Sequence, residues 1–216
     1  MVNKMGFIHI YNKIAPFYDA VFGRSCRDAY KLVLDIVEKY DLRFNSVLDV
    51  GCGTGKLLKL ISSDRHISQL YGIDPSENMI KIARKKNINR CQFYIEPIER
   101  ISLPDNAIDC VVSTTAFSHF SNAESAMNQI HRVLKKTGFC IIIEHKKPKL
   151  YIEKILKKIR IWSNFLSHAE IKKVFTHASF KILKLSETKK YIVAIIVPIE
   201  KKSQYEKGFV SSEGDV

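Results

Sequence analysis

A chain of 216 residues, 46% hydrophobic and 26% charged, holds enough material for one packed α/β domain and too little for two substantial ones. These are the proportions of a soluble globular protein. No apolar run approaches the roughly 20 residues a spanning helix needs, and Lys13 and Asp19 interrupt what would be the apolar core of a signal peptide. The net charge of +13 is concentrated, with 15 Lys/Arg against 4 Asp/Glu in residues 146–202. Such a basic third either meets an anionic partner (nucleic acid, membrane surface, acidic substrate) or leaves solvated faces positive. The five cysteines are scattered, with no Cys-x-x-Cys pair and no adjoining histidine. They read as reduced thiols of a cytoplasmic protein, not as a metal site or a disulfide frame.

Residues 7–23 open with Tyr11-Asn12-Lys13-Ile14-Ala15-Pro16-Phe17-Tyr18-Asp19, an aromatic and partly polar segment suited to pack as a helix on the core. From Arg24 to Tyr40, Leu32, Val33, Ile36 and Val37 recur at the spacing of an amphipathic helix. Val47, Leu48 and Val50 then form a short buried strand that stops at Gly51, Gly53 and Gly55, and helical spacing resumes from Lys56. Glycines at a strand-to-helix turn permit positive φ and close approach of backbone to a ligand. The helix start behind them offers unpaired N–H donors. Asp49 has no structural reason at a strand end unless a cationic or polyhydroxylated group sits against it. The spacing Asp-x-Gly-x-Gly-x-Gly differs from the Gly-x-Gly-x-x-Gly that faces a pyrophosphate, so a ligand without phosphates is expected.

A second strand, Leu70 to Ile73, ends in Asp74-Pro75-Ser76. Strand ends in open α/β sheets converge on one crevice, where the Asp74 carboxylate could accept two hydrogen bonds from ribose hydroxyls; alternatively Asp74 or Ser76 caps the next helix. Met79 lies one turn on, over a ligand or in the core. Cys91 to Ile95 is a third strand, followed by Glu96-Pro97-Ile98. After the turn Pro104–Ala107, Ile108 to Thr114 is a central buried strand, and Thr114 to Phe120 leaves it at the edge shared with Gly51 and Asp74. His119 there is either a substrate contact or base, or a packed ring. Residues 122–136 read as a helix stopped by Gly138, and Phe139 to Glu144 as a fifth strand. Lys146 to Leu166 alternates lysines with Ile152, Ile155, Leu156, Ile159 and Trp162, a basic amphipathic helix that covers a site or lies on an anionic bilayer. Ser167 and Glu170 suggest a capping box for a helix running through Phe175, with Phe180–Leu185 and Tyr191–Val197 as a closing pair of strands.

The glycine turn with Asp49 and Asp74 resembles the class I S-adenosylmethionine-dependent methyltransferases, over about residues 11 to 145. The segment Tyr11 to Asp19 is similar to the Tyr-Asp-x-x-Ala-x-x-Tyr-Asp opening of ubiquinone/menaquinone C-methyltransferases and bacterial phospholipid N-methyltransferases. The resemblance implies that Gly51, Cys52, Gly53 and Gly55 wrap the methionine part of S-adenosylmethionine beside Asp49. Asp74, with Pro75, would hold the ribose; Met79 and the Glu96-Pro97-Ile98 loop would face adenine, and Thr114 would border the cofactor. Tyr11 and Tyr18 would form a lid. Where the family has an adenine-contacting acid, Pro97 stands here, so either Glu96 serves from one position earlier or the backbone of Ile98 does. Asn12 replaces the first aspartate of the lid motif, which removes any role of that carboxylate. Ser118 replaces the first of two histidines and His119 keeps the second. Ser179 stands where a glycine is usual, so the preceding helix should end less sharply.

The expected fold is one Rossmann-like, doubly wound α/β sheet of about seven strands, mostly parallel with an antiparallel C-terminal hairpin strand and helices on both faces. Its parts are residues 1–40 as lid and helix, 41–145 as cofactor core, 146–166 as basic insertion, 167–200 as closing helix and hairpin, and 201–216 as polar tail. The reaction implied is in-line methyl transfer to a small-molecule or lipid-like acceptor, with His119 or Tyr18 as the base where one is needed. Peripheral contact with an anionic membrane falls to residues 149–166. An RNA or protein acceptor rests on charge alone, and a non-catalytic cofactor-binding protein is the remaining alternative.

Overall fold

The computed structural model describes residues 4–146 and 166–199. Seven strands form one sheet in the order β3-β2-β1-β4-β5-β7-β6, from β1 (Ser46–Val50), β2 (Gln69–Ile73), β3 (Cys91–Tyr94), β4 (Ile108–Thr114), β5 (Leu134–His145), β6 (Phe180–Glu187) and β7 (Tyr191–Pro198). β1 to β5 are parallel, and β7 runs antiparallel between β5 and β6. The doubly wound, mostly parallel sheet and its hairpin are those expected.

Helices lie on both faces because the central strands are apolar on both. Along β5, Ile141 and Ile143 pack with Val33 and Ile36 of α2 (Gly23–Lys39), Leu57 and Leu58 of α3 (Lys56–Ile61), and Ile80 of α4 (Glu77–Lys85). Cys140 and Ile142 point the other way, into a core with Met127 and Ile130 of α5 (Ala123–Val133) and Phe175 of α6 (His168–His177). The alternation is the two-residue period of a strand. Each of these buried isoleucines contributes about 1.5–3 kcal/mol. The remaining helix, α1 (Lys4–Val21), contains Pro16 and continues through Phe22 into α2, with the Phe22 amide bonded to Tyr18 O at 2.9 Å.

The chain leaves β1 toward β2 and β3, then returns to β4 on β1's other side. The carboxyl ends of β1, β2 and β4 therefore flank a crevice at the switch point of the sheet, where ligands of open α/β folds bind.

The helix expected over 122–136 is shorter, and Gly138 does not stop it. α5 ends at Val133, Leu134 is already extended (φ −67°, ψ 138°), and Leu134 pairs with Ile108 as the first residue of β5. Strand pairing overrides helical spacing here. Lys135 reaches across to Asp109 at 2.7 Å. A Cβ on Gly138 would come within 2.8 Å of the Asp109 carbonyl, so this glycine serves close backbone approach. The capping box at Ser167 and Glu170 forms as read. Ser179 does not blunt the end of α6: it takes φ +60°, the conformation of the missing glycine, and donates its amide to Thr176 O. The basic segment to Leu166 and the tail 201–216 lie outside the described residues, apart from Lys146 and Leu166 themselves.

Candidate functional site

The β1–α3 turn is shaped by glycine. Gly51, Gly53 and Gly55 all have positive φ (74°, 52° and 74°). At Gly51 a side chain has no room, since its Cβ would fall 2.4 Å from that of Ala116 in the turn after β4. The amides of Gly51 and Cys52 both donate to Ile73 O, at 2.9 and 3.0 Å, binding the turn to the end of β2. Cys52 is itself buried, with Sγ 2.9 Å from where a Cβ on Gly72 would lie, and burial pushes its thiol well above the usual range.

Two carboxylates stand at neighbouring strand ends. Asp74 accepts the Gly53 amide at 3.0 Å and the Ser76 amide at 2.8 Å. The helix cap is Ser76, which accepts from the Met79 amide at 3.3 Å. Asp74 is thus left with acceptor capacity beyond its two backbone bonds, since a carboxylate offers about four sites. Asp49 is 1% exposed, and its Oδ1 has no hydrogen-bond partner among the described residues. Burial, then the neighbouring Asp74, pushes its carboxyl up to about 8. Burial raises Asp74 to about 6 against the two amides that hold it down. A recessed, unpartnered acid of this kind fits a cationic group, whose arrival would restore the ionised form.

α1 crosses these strand ends and touches three loops. Its Tyr11 hydroxyl lies 3.1 Å from His119 Nε2 in the short 3₁₀ turn Phe117–His119, with the rings edge to face. Asn12 Oδ1 accepts from Ser76 Oγ at 2.7 Å and from the Asn78 amide at 3.1 Å, while Asn78 Nδ2 donates to Asn12 O at 2.9 Å. The replacement of aspartate by Asn12 therefore keeps an acceptor at the start of α4 and loses only the charge. Asp19 accepts from Thr54 Oγ1 in the glycine turn at 2.7 Å, with Lys56 and Lys86 at 3.5 and 3.6 Å. Tyr18 lies between Tyr11, ring centroids 6.0 Å apart, and Cys26, whose Sγ is 3.7 Å from its hydroxyl.

Burial keeps Tyr11 and Tyr18 protonated, well above the ordinary phenol range. Burial also pushes His119 down to about 4, so its imidazole is neutral at pH 7. The other expected positions sit less directly on the crevice. Glu96 holds its own loop closed, accepting the Ser102 amide at 3.0 Å and Ser102 Oγ at 2.6 Å. Pro97 and Pro75 are exposed, whereas Ile98, Met79 and Thr114 are buried.

Glu144, at the end of β5, escaped the sequence reading. It is 2% exposed, accepts the Ser118 amide at 2.9 Å and the His145 amide at 2.7 Å, and is pushed up to about 7 by burial. It thereby fixes the 3₁₀ turn that presents His119 to Tyr11. The signal was available: an acid closing the run Ile141-Ile142-Ile143 is the same anomaly as Asp49 closing β1. Asp19 and Thr54 carried no such signal, because their pairing depends on where α1 lies.

Comparison with known proteins gives a concordant result. A methyltransferase-domain family model matches residues 48–142. The ubiquinone/menaquinone biosynthesis C-methyltransferase UbiE of Campylobacter jejuni is 26% identical over 160 residues, 68% of this chain and 66% of that protein; the match thus spans about two thirds of the relative's length. A methyltransferase of Aquifex aeolicus described as S-adenosylmethionine-dependent superposes with TM-score 0.62 at 22% identity, over 76% of this chain and 89% of that one. The [4+2]-cyclase SpnF superposes with TM-score 0.77 at 18% identity, over 92% and 98%. At these identities the two solved structures establish a common fold. The family model covers less than half of the chain and the curated relative is 26% identical, so the chain is similar to S-adenosylmethionine-dependent methyltransferases over its central part, on the fold that it shares with the two solved structures.

Proposed function

We propose that the protein transfers a methyl group from S-adenosylmethionine to a small, apolar, lipid- or quinone-like acceptor. The observation that carries this reading is the pair Asp49 and Asp74 at adjacent strand ends beside the glycine turn, with Asp49 Oδ1 buried and unpartnered. Asp49 supplies the negative charge for the cationic methionine end, and Asp74 accepts from ribose with the lone pairs its two amides leave. Ile98 borders adenine in a loop that Glu96 shapes through Ser102, and Cys52, Pro75, Met79, Pro97 and Thr114 complete the walls.

S-adenosylmethionine supplies an electrophilic methyl on a sulfonium, whose departure leaves a neutral thioether. The protein therefore has no anion to stabilise on the leaving side. Its contribution is to orient the acceptor and keep water out, and this can account for most of the rate. The contacts of α1 at His119, Ser76 and Thr54 suit that task. Neutral His119 can take a proton from an acceptor that carries one; Tyr18, held protonated, serves as a donor or wall. The apolar class of acceptor is supported by the aromatic pair Tyr11 and Tyr18 and by the similarity to a quinone C-methyltransferase.

The test is transfer of radiolabelled methyl into a cell extract, partitioned into organic, aqueous and macromolecular fractions. Label in the organic fraction is expected. Label confined to RNA or protein would overturn the acceptor class, and no label despite cofactor binding would overturn methyl transfer itself.

A further inference from the structure

The face of α1 turned away from the crevice has a composition that the site does not explain. Tyr11, Asn12, Ala15, Tyr18 and Asp19 face the strand ends, while Lys13, Pro16, Phe17, Ala20 and Val21, spaced three and four apart, are exposed. A surface helix ordinarily turns its apolar side inward. In α1 the inward face mixes Ala15 and two tyrosine rings with hydroxyl, amide and carboxylate groups, while the apolar side chains Phe17 and Val21 are turned outward. Phe17 is 68% exposed, Val21 67% and Phe22, at the junction with α2, 40%. Seven large hydrophobic side chains are exposed among the described residues, and these three fall within six positions. Phe17 and Val21, one turn apart, form a ridge, and Phe22, whose ring packs on Tyr18 with centroids 5.1 Å apart, lies at its edge; such a cluster is unlike the singly scattered apolar residues normal on a surface.

The flanks of the ridge are basic. Lys13 lies at one end, with Arg24 and Arg27 at the other, all exposed. The nearest carboxylates are engaged elsewhere: Asp19 with Thr54, Lys56 and Lys86, and Asp28 with Lys190 at 2.8 Å. We infer that this face of α1 docks on an anionic lipid bilayer, with Phe17 and Val21 entering the boundary between headgroups and acyl chains and the three cations among the headgroups. Charge selects this occupant over a second copy of the chain. Two copies of net charge +13 meeting here would set the same cations against each other, whereas anionic headgroups attract them. Resting on the methyl transfer proposed above, the same docking would bring a membrane-dissolved acceptor to the edge of the crevice without a passage through water.

Flotation of the full-length protein with phosphatidylglycerol/phosphatidylcholine vesicles at low salt tests the docking without any need for turnover. Wild type is expected to float with these vesicles and to stay behind with phosphatidylcholine alone. The double variant Phe17→Glu/Val21→Glu should partition at least about tenfold more weakly. Both side chains are exposed, so folding should survive the change; an unchanged melting temperature and cofactor affinity would establish that. Wild type failing to float would overturn the inference. So would a double variant that floats equally well, or wild-type dimerisation by sedimentation equilibrium that the variant abolishes. Vesicle binding without methyl transfer would remove the proposed function and leave the docking intact; transfer without binding would do the reverse.

Discussion

Asp49 is almost wholly buried, with its Oδ1 unpartnered among the described residues, and this carries a cost that depends on pH. Its carboxyl in the folded protein lies near 8, against an ordinary value of 3.8. The folded state thus keeps a proton that the unfolded state has released. The stability this gives is fully present below about pH 4 and is lost as pH rises through about 8, at up to about 1.4 kcal/mol per pH unit. Asp49→Asn removes the titration and keeps the shape. The variant should melt above wild type in the cofactor-free state, and the gap should widen from pH 5 to pH 8, by about 2–4 °C for each kcal/mol relieved. A gap independent of pH in scanning calorimetry would mean that Asp49 is not the titrating group. Asp49, Asp74 and the three glycines could be read directly from the sequence, because each stands out locally: a charge within or just past an apolar strand, or three glycines in five positions. Tertiary partners could not be read that way. The closure of its own loop by Glu96 through Ser102, and the Asp19–Thr54 bond, join residues whose proximity only the assembled chain creates.

At the level of elements, α1 is tied across the strand ends by polar contacts as well as by the buried Ala15 and the rings of Tyr11 and Tyr18. Asn12 ties it to the start of α4, and Asp19 ties it to the glycine turn. Each such bond is worth about 0.5–1.5 kcal/mol net. Asn12→Ala should therefore speed cofactor dissociation by about tenfold in stopped-flow displacement, with a fall in melting temperature of a few degrees. An unchanged dissociation rate would show that α1 does not gate the crevice. α6 offers a separate test of local chemistry. Ser179 adopts a left-handed conformation that costs a residue with a Cβ about 1–2 kcal/mol. Ser179→Gly should raise the melting temperature, the net gain being about 0.5–1 kcal/mol after glycine's own entropy cost; a fall would mean that the serine side chain makes a compensating contact. The misreading at Gly138 has a related origin. A glycine after two lysines is a helix terminator by local rules, yet here the chain is already extended and the glycine serves backbone contact with Asp109.

In the whole molecule, the order β3-β2-β1-β4-β5-β7-β6 puts the ends of β1, β2 and β4 together, and with them Asp49, Asp74 and the turn that carries His119. The mostly parallel character of the sheet followed from the alternation of apolar strands and amphipathic helices, and the antiparallel strand of the closing hairpin from the family resemblance; the strand order did not. The contacts of α1 across the strand ends arise only from the packed fold. Among the described residues no helix is long and apolar enough to cross a membrane. The central claim is that the buried pair Asp49 and Asp74 holds the cationic cofactor. Its most direct test is titration calorimetry of S-adenosylmethionine at pH 7, in buffers of different ionisation enthalpy, with wild type and Asp74→Ala. Binding should release close to one proton as Asp49 ionises against the incoming cation, and Asp74→Ala should weaken affinity by about ten- to a hundredfold. Binding without proton release, and with the same affinity in the variant, would contradict the assignment of this pair as the cofactor's anchor.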